Sequence, residues 1–344
     1  MAQRAARAMK RFSTGLIVGK FAPLHCGHEM LINTALAQCE TLLLLSYSVP
    51  ELPGCEPQKR LRWMQQRFPQ CHAVVITPER VKQWQLPDIP HNDAPADIHR
   101  HYVATLCEQV FQQRPEAVFT GEDYGDGFAA VLSARFGQPV THVRLQRSTD
   151  ANAPSGTLIR TDVHRHRALL ADGVYRDFVF RICLLGGEST GKSTLSQALA
   201  AALNTRYVAE FGREYWEEKQ GELGYDDLLH IARTQVLREQ AASSERYLVC
   251  DTSPLTTLFY TLHQFGHAPQ ELHQLAEREY SLIVLCAADF EFVQDGTRQG
   301  EDFRRLQQAW YEHELTRRNL PFIRVHGSLS ARIAQIQAHL STLH

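Results

Sequence analysis

Residues 186–193 read Gly-Gly-Glu-Ser-Thr-Gly-Lys-Ser, a spacing that suits capture of a polyphosphate. Glycine has no Cβ, so Gly186 and Gly191 let the backbone N–H groups of the loop turn inward around phosphate oxygens. Gly187, Glu188, Ser189, Thr190 and Thr194 complete the expected nucleotide cradle. A helix predicted to begin near Lys192 aims the positive end of its dipole at the same anion. Lys192 has the reach for β- and γ-phosphates, and the Ser193 hydroxyl is the expected Mg²⁺ ligand. Asp251, at the end of the apolar run Tyr-Leu-Val-Cys-Asp, is the expected acidic partner of that Mg²⁺. It also reads as a cap for the helix that follows.

Two further stretches extend this chemistry. Residues 295–305 place Arg298, Arg304 and Arg305 beside Gly296 and Gly300. Glycine hinges and guanidinium groups are what a lid closing on a transferring phosphoryl group requires. Residues 208–218 place Glu210, Arg213, Glu214, Tyr215 and Trp216 after a predicted strand, at the end of the sheet where such folds bind ligands. A carboxylate there suits accepting a proton from an acceptor hydroxyl or holding ribose hydroxyls. Tyr215 and Trp216 suit stacking on a flat base. The pattern predicts a small-molecule kinase, and no Asn/Thr-Lys-x-Asp guanine signature is present.

A separate constellation lies near the start. Residues 15–31 read as a strand ending at Gly19–Lys20, a loop with Phe21 and Pro23, then His25, Gly27 and His28 at a helix start. Two histidines three apart at a helix N-terminus can donate to phosphate oxygens without a metal. Ser155, Thr157 and Arg160 form a second polar set, and Asp123, Tyr124 and Gly125 a third, weaker one.

These residues need elements to hold them. Short apolar, β-branched runs alternate with helical segments twice along the chain, which predicts two parallel-sheet domains. Five strands are expected in each half, with boundaries at 14–177 and 178–344. The 344 residues accommodate two domains. In the last predicted helix Leu329, Ile333, Ile336, Leu340 and Leu343 form one apolar face.

Composition sets limits. The net charge of −2 gives no global case for binding nucleic acid or an anionic membrane. Apolar runs fall well short of the ~20 residues that span a bilayer. The basic, alanine-rich N-terminus lacks the apolar stretch of a secretory signal. Eight scattered cysteines without a CxxC pair read as reduced thiols, so a cytoplasmic protein is expected. The pairs His99/His101 and His164/His166 lack partners at metal-ligand spacing and are expected to be solvated.

H-x-G-H followed by S-x-T-x-x-R resembles the nucleotidyltransferase superfamily. The second motif there usually opens with Ile-Ser, whereas this chain has Pro154–Ser155. Gly19–His28 most resembles the bacterial nicotinamide mononucleotide adenylyltransferases. The stretches "QKRLRWMQQRF" and "GEDYGDGFAAVL", with the later "GGESTGKSTL", "AEFGREY", "CDTSPLTT" and "DGTR", resemble in order one subgroup of them, the bifunctional NadR family. The resemblance covers roughly residues 14–344. It implies an α/β fold with an N-terminal Rossmann-like nucleotidyltransferase domain followed by a P-loop kinase domain.

It also implies phosphorylation of nicotinamide riboside by Mg·ATP in the second domain, with Glu210 or Asp251 as the base. Adenylyl transfer from ATP to nicotinamide mononucleotide would follow in the first, giving NAD. Lys20, His25, His28 and Arg160 would then handle charge. Some family members carry a helix-turn-helix repressor domain, for which the ~13 residues before the first strand are too few, so direct DNA binding is not expected. The sequence leaves open another nucleoside or phosphate acceptor, a regulator with one idle domain, and the oligomeric state, a homo-oligomer included.

Overall fold

The computed structural model describes residues 10–121, 124–145, 154–242, 245–294 and 299–343. Asp123 and Arg298 lie outside the described residues. The chain divides after Phe178 into two units, each built on its own five-stranded sheet.

In the first unit the strands are β1 (Phe12–Val18), β2 (Cys39–Ser46), β3 (His72–Val75), β4 (Ala117–Thr120) and β5 (Thr141–Arg144). Their order is β3-β2-β1-β4-β5, every pair parallel. The strand order reverses between β1 and β4, and α/β sheets open a ligand crevice at such a point. Leu42–Leu45 of β2 are each at most 1% exposed. Such burial on both faces is why a parallel strand reads as a continuous apolar run. Each buried leucine contributes about 1.5–3 kcal/mol.

In the second unit the strands are β6 (Phe180–Leu185), β7 (Arg206–Val208), β8 (Tyr247–Asp251), β9 (Leu282–Cys286) and β10 (Phe322–Val325). The order is β10-β9-β6-β8-β7, again parallel throughout. Side-chain alternation divides β6 between two cores. Ile182 and Leu184 pack with Leu195, Val249 and Ile336, whereas Cys183 and Leu185 pack with Leu255, Leu258 and Tyr311.

The α/β class with two parallel sheets is therefore the expected one. The last helix, Leu329–Thr342, departs in detail. Ile336 and Leu340 are buried, but Leu329 and Leu343 are exposed and Arg332 is buried in their place. Two of the histidines expected to be solvated are instead bonded to tyrosines: His99 to Tyr47 at 3.0 Å and His164 to Tyr175 at 2.8 Å. All eight cysteines are free, and only Cys26 is exposed. Among the described residues, no helix is long and apolar enough to cross a membrane.

Candidate active sites at the strand ends of two parallel sheets

In the first unit, the chain leaves β1 through Gly19, whose N–H donates to Leu45 O at 3.0 Å. Phe21 holds φ 47°, a conformation costly for a bulky residue. Its buried ring lies 4.9 Å from His28, and that contact offsets the strain. Helix Cys26–Gln38 then begins with His25 as its N-cap. The Gly27 N–H donates to His25 Nδ1 at 3.1 Å, and the His25 N–H donates to His28 Nδ1 at 3.4 Å. The H-x-G-H spacing is thus a reciprocal capping box made of imidazoles. Because both Nδ1 atoms accept, these bonds put each neutral ring's proton on Nε2. The rings stack with centroids 3.8 Å apart. Gly27 is required because a Cβ would lie 3.1 Å from the His25 ring.

The second polar set meets this loop. Ser155 caps helix Gly156–Thr161 by accepting from Leu158 N at 3.1 Å. Arg160 donates to Ala22 O and, at 3.2 Å, to Thr157 Oγ1. A Cβ on Gly156 would lie 2.8 Å from Ala22 O, so the two motifs touch backbone to backbone. Burial lowers the Lys20 ammonium, and the nearby Arg160 lowers it further. The Lys20 carbonyl is held by Ser46 Oγ at 3.0 Å and by the buried Arg60 at 3.3 Å. Lys20, His25, His28, Ser155, Thr157 and Arg160 are therefore gathered at the end of β1. Tyr124 and Gly125 open the helix after β4, the strand beside β1. A Cβ on Gly125 would strike His142, which bridges Thr120 and Asp126.

In the second unit, Gly186–Gly191 connect β6 to helix Lys192–Ala202. Gly186 (φ 148°) and Gly191 (φ 78°) hold conformations that L-residues rarely adopt. A Cβ on Gly186 would also lie 2.9 Å from Cys286 O. Lys192 folds back over the loop, with Nζ 2.9 Å from both Gly186 O and Gly187 O. Two buried arginines bind backbone carbonyls of the loop and of the segment after β9. Arg332 donates to Thr190 O at 2.7 Å and Ala287 O at 3.0 Å. Arg304 donates to Phe290 O at 2.8 Å and, weakly, to Ser189 O at 3.5 Å. The reading of Arg304 as a lid arginine is thereby corrected. It sits in helix Glu301–Arg317, 3% exposed, with its guanidinium committed to backbone carbonyls. Arg305, on the same helix, is exposed and faces Glu301.

A cavity of about 630 Å³ opens beside the loop. Glu188–Thr194 form one wall, and Glu210, Arg213 and Trp216 face them. Gly221 packs under the Trp216 indole, where a Cβ would lie 3.1 Å from the ring. Glu214 and Tyr215 do not reach the cavity, which corrects their expected substrate role. Helical phase turns them away: Glu214 pairs with Arg238 at 2.7 Å, and the Tyr215 hydroxyl donates to Asp227 at 2.9 Å.

Glu210 and Asp251 interact. Burial and then the Asp251 charge push Glu210 up to about 7, while Lys192 and Arg213 act against them. Burial also raises Asp251, opposed first by Ser193. Asp251 Oδ1 is buried without a hydrogen-bond partner. Thr252, directly after it, holds φ 72°, an outlier for a β-branched residue. Such strain collects at functional sites.

Several cavity residues were not foreseen. Thr256, Thr257 and Tyr260 line it from helix Pro254–Phe265. Their positions three, four and seven residues after the Ser253 cap, one face of a helix, were the available signal. Gln307 and Gln308 accept from the loop amides of Glu188 and Gly187 at 2.9 and 3.1 Å. No motif marks them.

Comparison with known proteins fits this geometry. A family described as an AAA domain matches residues 181–332. The trifunctional NAD biosynthesis/regulator protein NadR of Salmonella typhimurium strain LT2 is 28% identical over 333 residues, covering 90% of this chain and 78% of that one. NadR of Escherichia coli strain K12 is 27% identical over the same span. A NadR crystal structure in complex with NR superposes with TM-score 0.66 at 21% identity, covering 97% of this chain and 96% of that one. A NadR structure with NAD and AMP-PNP gives 0.63 at 20% identity, covering 93% and 92%. Over 90% of its length, in both units, the chain is homologous to NadR.

Proposed function

We propose that the chain is a bifunctional NAD-biosynthetic enzyme: the second unit phosphorylates nicotinamide riboside and the first adenylylates the product. The observation that supports this reading is the gathering of the two motif sets, one per sheet, each at the carboxyl ends of parallel strands. The homology to NadR supports it, as do the NR, NAD and AMP-PNP in the solved relatives.

In the second unit the riboside lies in the cavity with its base against Trp216. Glu210, raised toward neutrality and facing Lys192 across the cavity, accepts the proton of the 5′-hydroxyl. The 5′-oxygen then bonds to the γ-phosphorus of ATP as its bond to the β-bridging oxygen breaks. Lys192 and Arg213 neutralise the moving charge. Asp251 is the better Mg²⁺ partner than base. Its Oδ1 is unpartnered, Ser193 interacts with the same carboxyl group, and a hydroxyl with a carboxylate is an oxygen donor set that Mg²⁺ takes alongside phosphates. Bound there, Mg²⁺ would screen the β- and γ-phosphate charges.

In the first unit, the mononucleotide's phosphate oxygen bonds to the α-phosphorus of a second ATP, and pyrophosphate leaves. His25 and His28 donate through Nε2, and Lys20 and Arg160 hold the anions. Catalysis is positioning and charge neutralisation. Ser155 and Thr157 add hydroxyl donors, and Asp123, Tyr124 and Gly125 are assigned to the nucleotide side.

The test is direct. The pure protein is incubated with nicotinamide riboside, ATP and Mg²⁺, and products are followed by mass spectrometry. Mononucleotide and NAD are both expected. Neither product would refute the reading, and mononucleotide alone would mean an idle first unit.

A further inference from the structure

A carboxylate inside a phosphate cradle is electrostatically out of place. Glu188 is the third residue of the Gly186–Ser193 loop, and its side chain turns into the cavity. Lys192 and Arg213 line the same cavity, but the direct partners of the carboxylate are neutral. The Tyr260 hydroxyl donates to Oε1 at 3.0 Å, and the Gln299 N–H donates to Oε2 at 2.8 Å. Its own N–H donates to Gln307. The side chain is thus held by two donors and its backbone by a third contact, and no ion pair offsets its charge among the described residues. An ionised carboxylate offers about four lone-pair sites, and only two are used here. Placed beside a triphosphate it would repel. It is explained if it serves the acceptor.

We infer that Glu188 is a specificity-determining residue of the second unit, accepting hydrogen bonds from the sugar hydroxyls of a ribonucleoside acceptor. The inference rests on the kinase reading given above and goes beyond it. The geometry orders the acceptor. Its 5′-oxygen must reach the γ-phosphate near Lys192, and the sugar carries that oxygen. The sugar therefore lies next to the loop, and the base lies farther out toward Trp216. Glu188 is the carboxylate of the loop that lines that space, and Tyr260 aims it. Two donors on one carboxylate leave the other lone pairs for vicinal hydroxyls.

The test pairs substrate and enzyme changes. Wild type and Glu188→Ala are assayed with nicotinamide riboside and with its 2′-deoxy and 3′-deoxy analogues. Wild type is expected to prefer the ribo form on the order of tenfold to a hundredfold in kcat/KM, as for a hydrogen bond to a charged group. In Glu188→Ala that preference is expected to vanish, through loss of the ribo substrate alone. ATP affinity, measured by calorimetry without acceptor, is expected to be unchanged or tighter, since a negative charge has left the cradle. Tyr260→Phe is expected to lose part of the preference and to keep ATP binding.

A tenfold loss of ATP affinity in Glu188→Ala would overturn the inference, as would ribo preference surviving the substitution or absent from wild type. If wild type phosphorylates none of the three, the kinase reading itself falls and takes this inference with it. Those outcomes are distinct.

Discussion

The two proposed phosphate seats would answer one problem with different atoms. The second unit would use a glycine loop over which one lysine folds. The first would use ring nitrogens and side-chain cations, with its two imidazoles capping each other at a helix start. A backbone cradle depends on φ angles that glycine permits. A side-chain seat depends on tautomers, ring stacking and the loop that carries them. The difference predicts which substitutions each site tolerates.

The largest expected effects separate the units. Lys192→Ala is predicted to lower riboside phosphorylation on the order of 10²–10³-fold, as does loss of a charge-stabilising donor, while sparing adenylylation of supplied mononucleotide. His28→Ala is predicted to do the converse. Both activities are measured on each full-length variant. If His28→Ala leaves NAD formation intact, the first site has been misassigned. If either substitution lowers both activities, the seats are not independent.

Glycine substitutions sharpen the contrast. Gly191→Ala places an L-residue at φ 78°, a backbone cost of about 1–2 kcal/mol before any contact is counted. It is predicted to cost the kinase roughly tenfold through KM for ATP. Gly27→Ala meets no φ penalty; it meets the His25 ring at 3.1 Å. It is predicted to cost adenylyl transfer a comparable factor, with the imidazole resonances shifted in NMR spectra. Unshifted resonances would count against the capping box as the origin of that site.

The pH dependence divides the units again. Glu210 is held up to about 7, mainly by burial. A base works only when ionised, so phosphorylation is predicted to rise between about pH 6 and pH 8 and then level. Glu210→Gln is predicted to lower the rate and flatten that limb. Adenylyl transfer is predicted to lack a limb that this substitution removes. Stability runs the other way. Folded Glu210 keeps a proton that the unfolded chain releases at lower pH. The ligand-free second unit is thus predicted to lose stability as pH rises from the ordinary carboxylate range toward 7. Thermal melts of wild type and Glu210→Gln check the sign.

The strands were legible as short apolar or β-branched runs between helical segments; β4 and β9 are buried throughout, whereas the edge strands β5 and β7 are partly exposed and carry polar residues. Loop glycines and paired histidines were legible because their spacing is their function. Buried arginines were not. Arg60, Arg304 and Arg332 carry charges that composition assigns to the surface, yet each is at most 3% exposed. What holds them is a set of partners that exists only once the loops have folded: Glu51 and Ser46 for Arg60, and backbone carbonyls with Glu301 or Asp289 for Arg304 and Arg332. Arg332 even occupies the helix face that periodicity assigned to leucines. Helix Pro78–Trp84 was missed as well. Thr77, whose side chain accepts from Arg80 N, followed by Pro78 and Glu79, was a readable start signal, but seven residues are too few to show a period.

The smallest predicted effect bears on the arginines. The sequence places Arg304 and Arg305 together in a lid, whereas the fold separates them by the turn of a helix. Arg305 is exposed and pairs with Glu301 at 3.3 Å, four residues away on the same helix. Exposed pairs of that kind contribute about 0–1 kcal/mol. Arg305→Ala is therefore predicted to change kcat for phosphorylation by less than about twofold. Arg304→Ala removes the donor to Phe290 O and Ser189 O and leaves those carbonyls buried without it. It is predicted to lower the melting temperature and raise KM for ATP. Should Arg305→Ala instead cost tenfold in kcat with KM unchanged, its guanidinium reaches the transferring phosphoryl in the closed complex. The lid would then include the first turn of helix Glu301–Arg317, and the backbone cradle would depend on a side-chain cation from outside its loop, much as the first unit does.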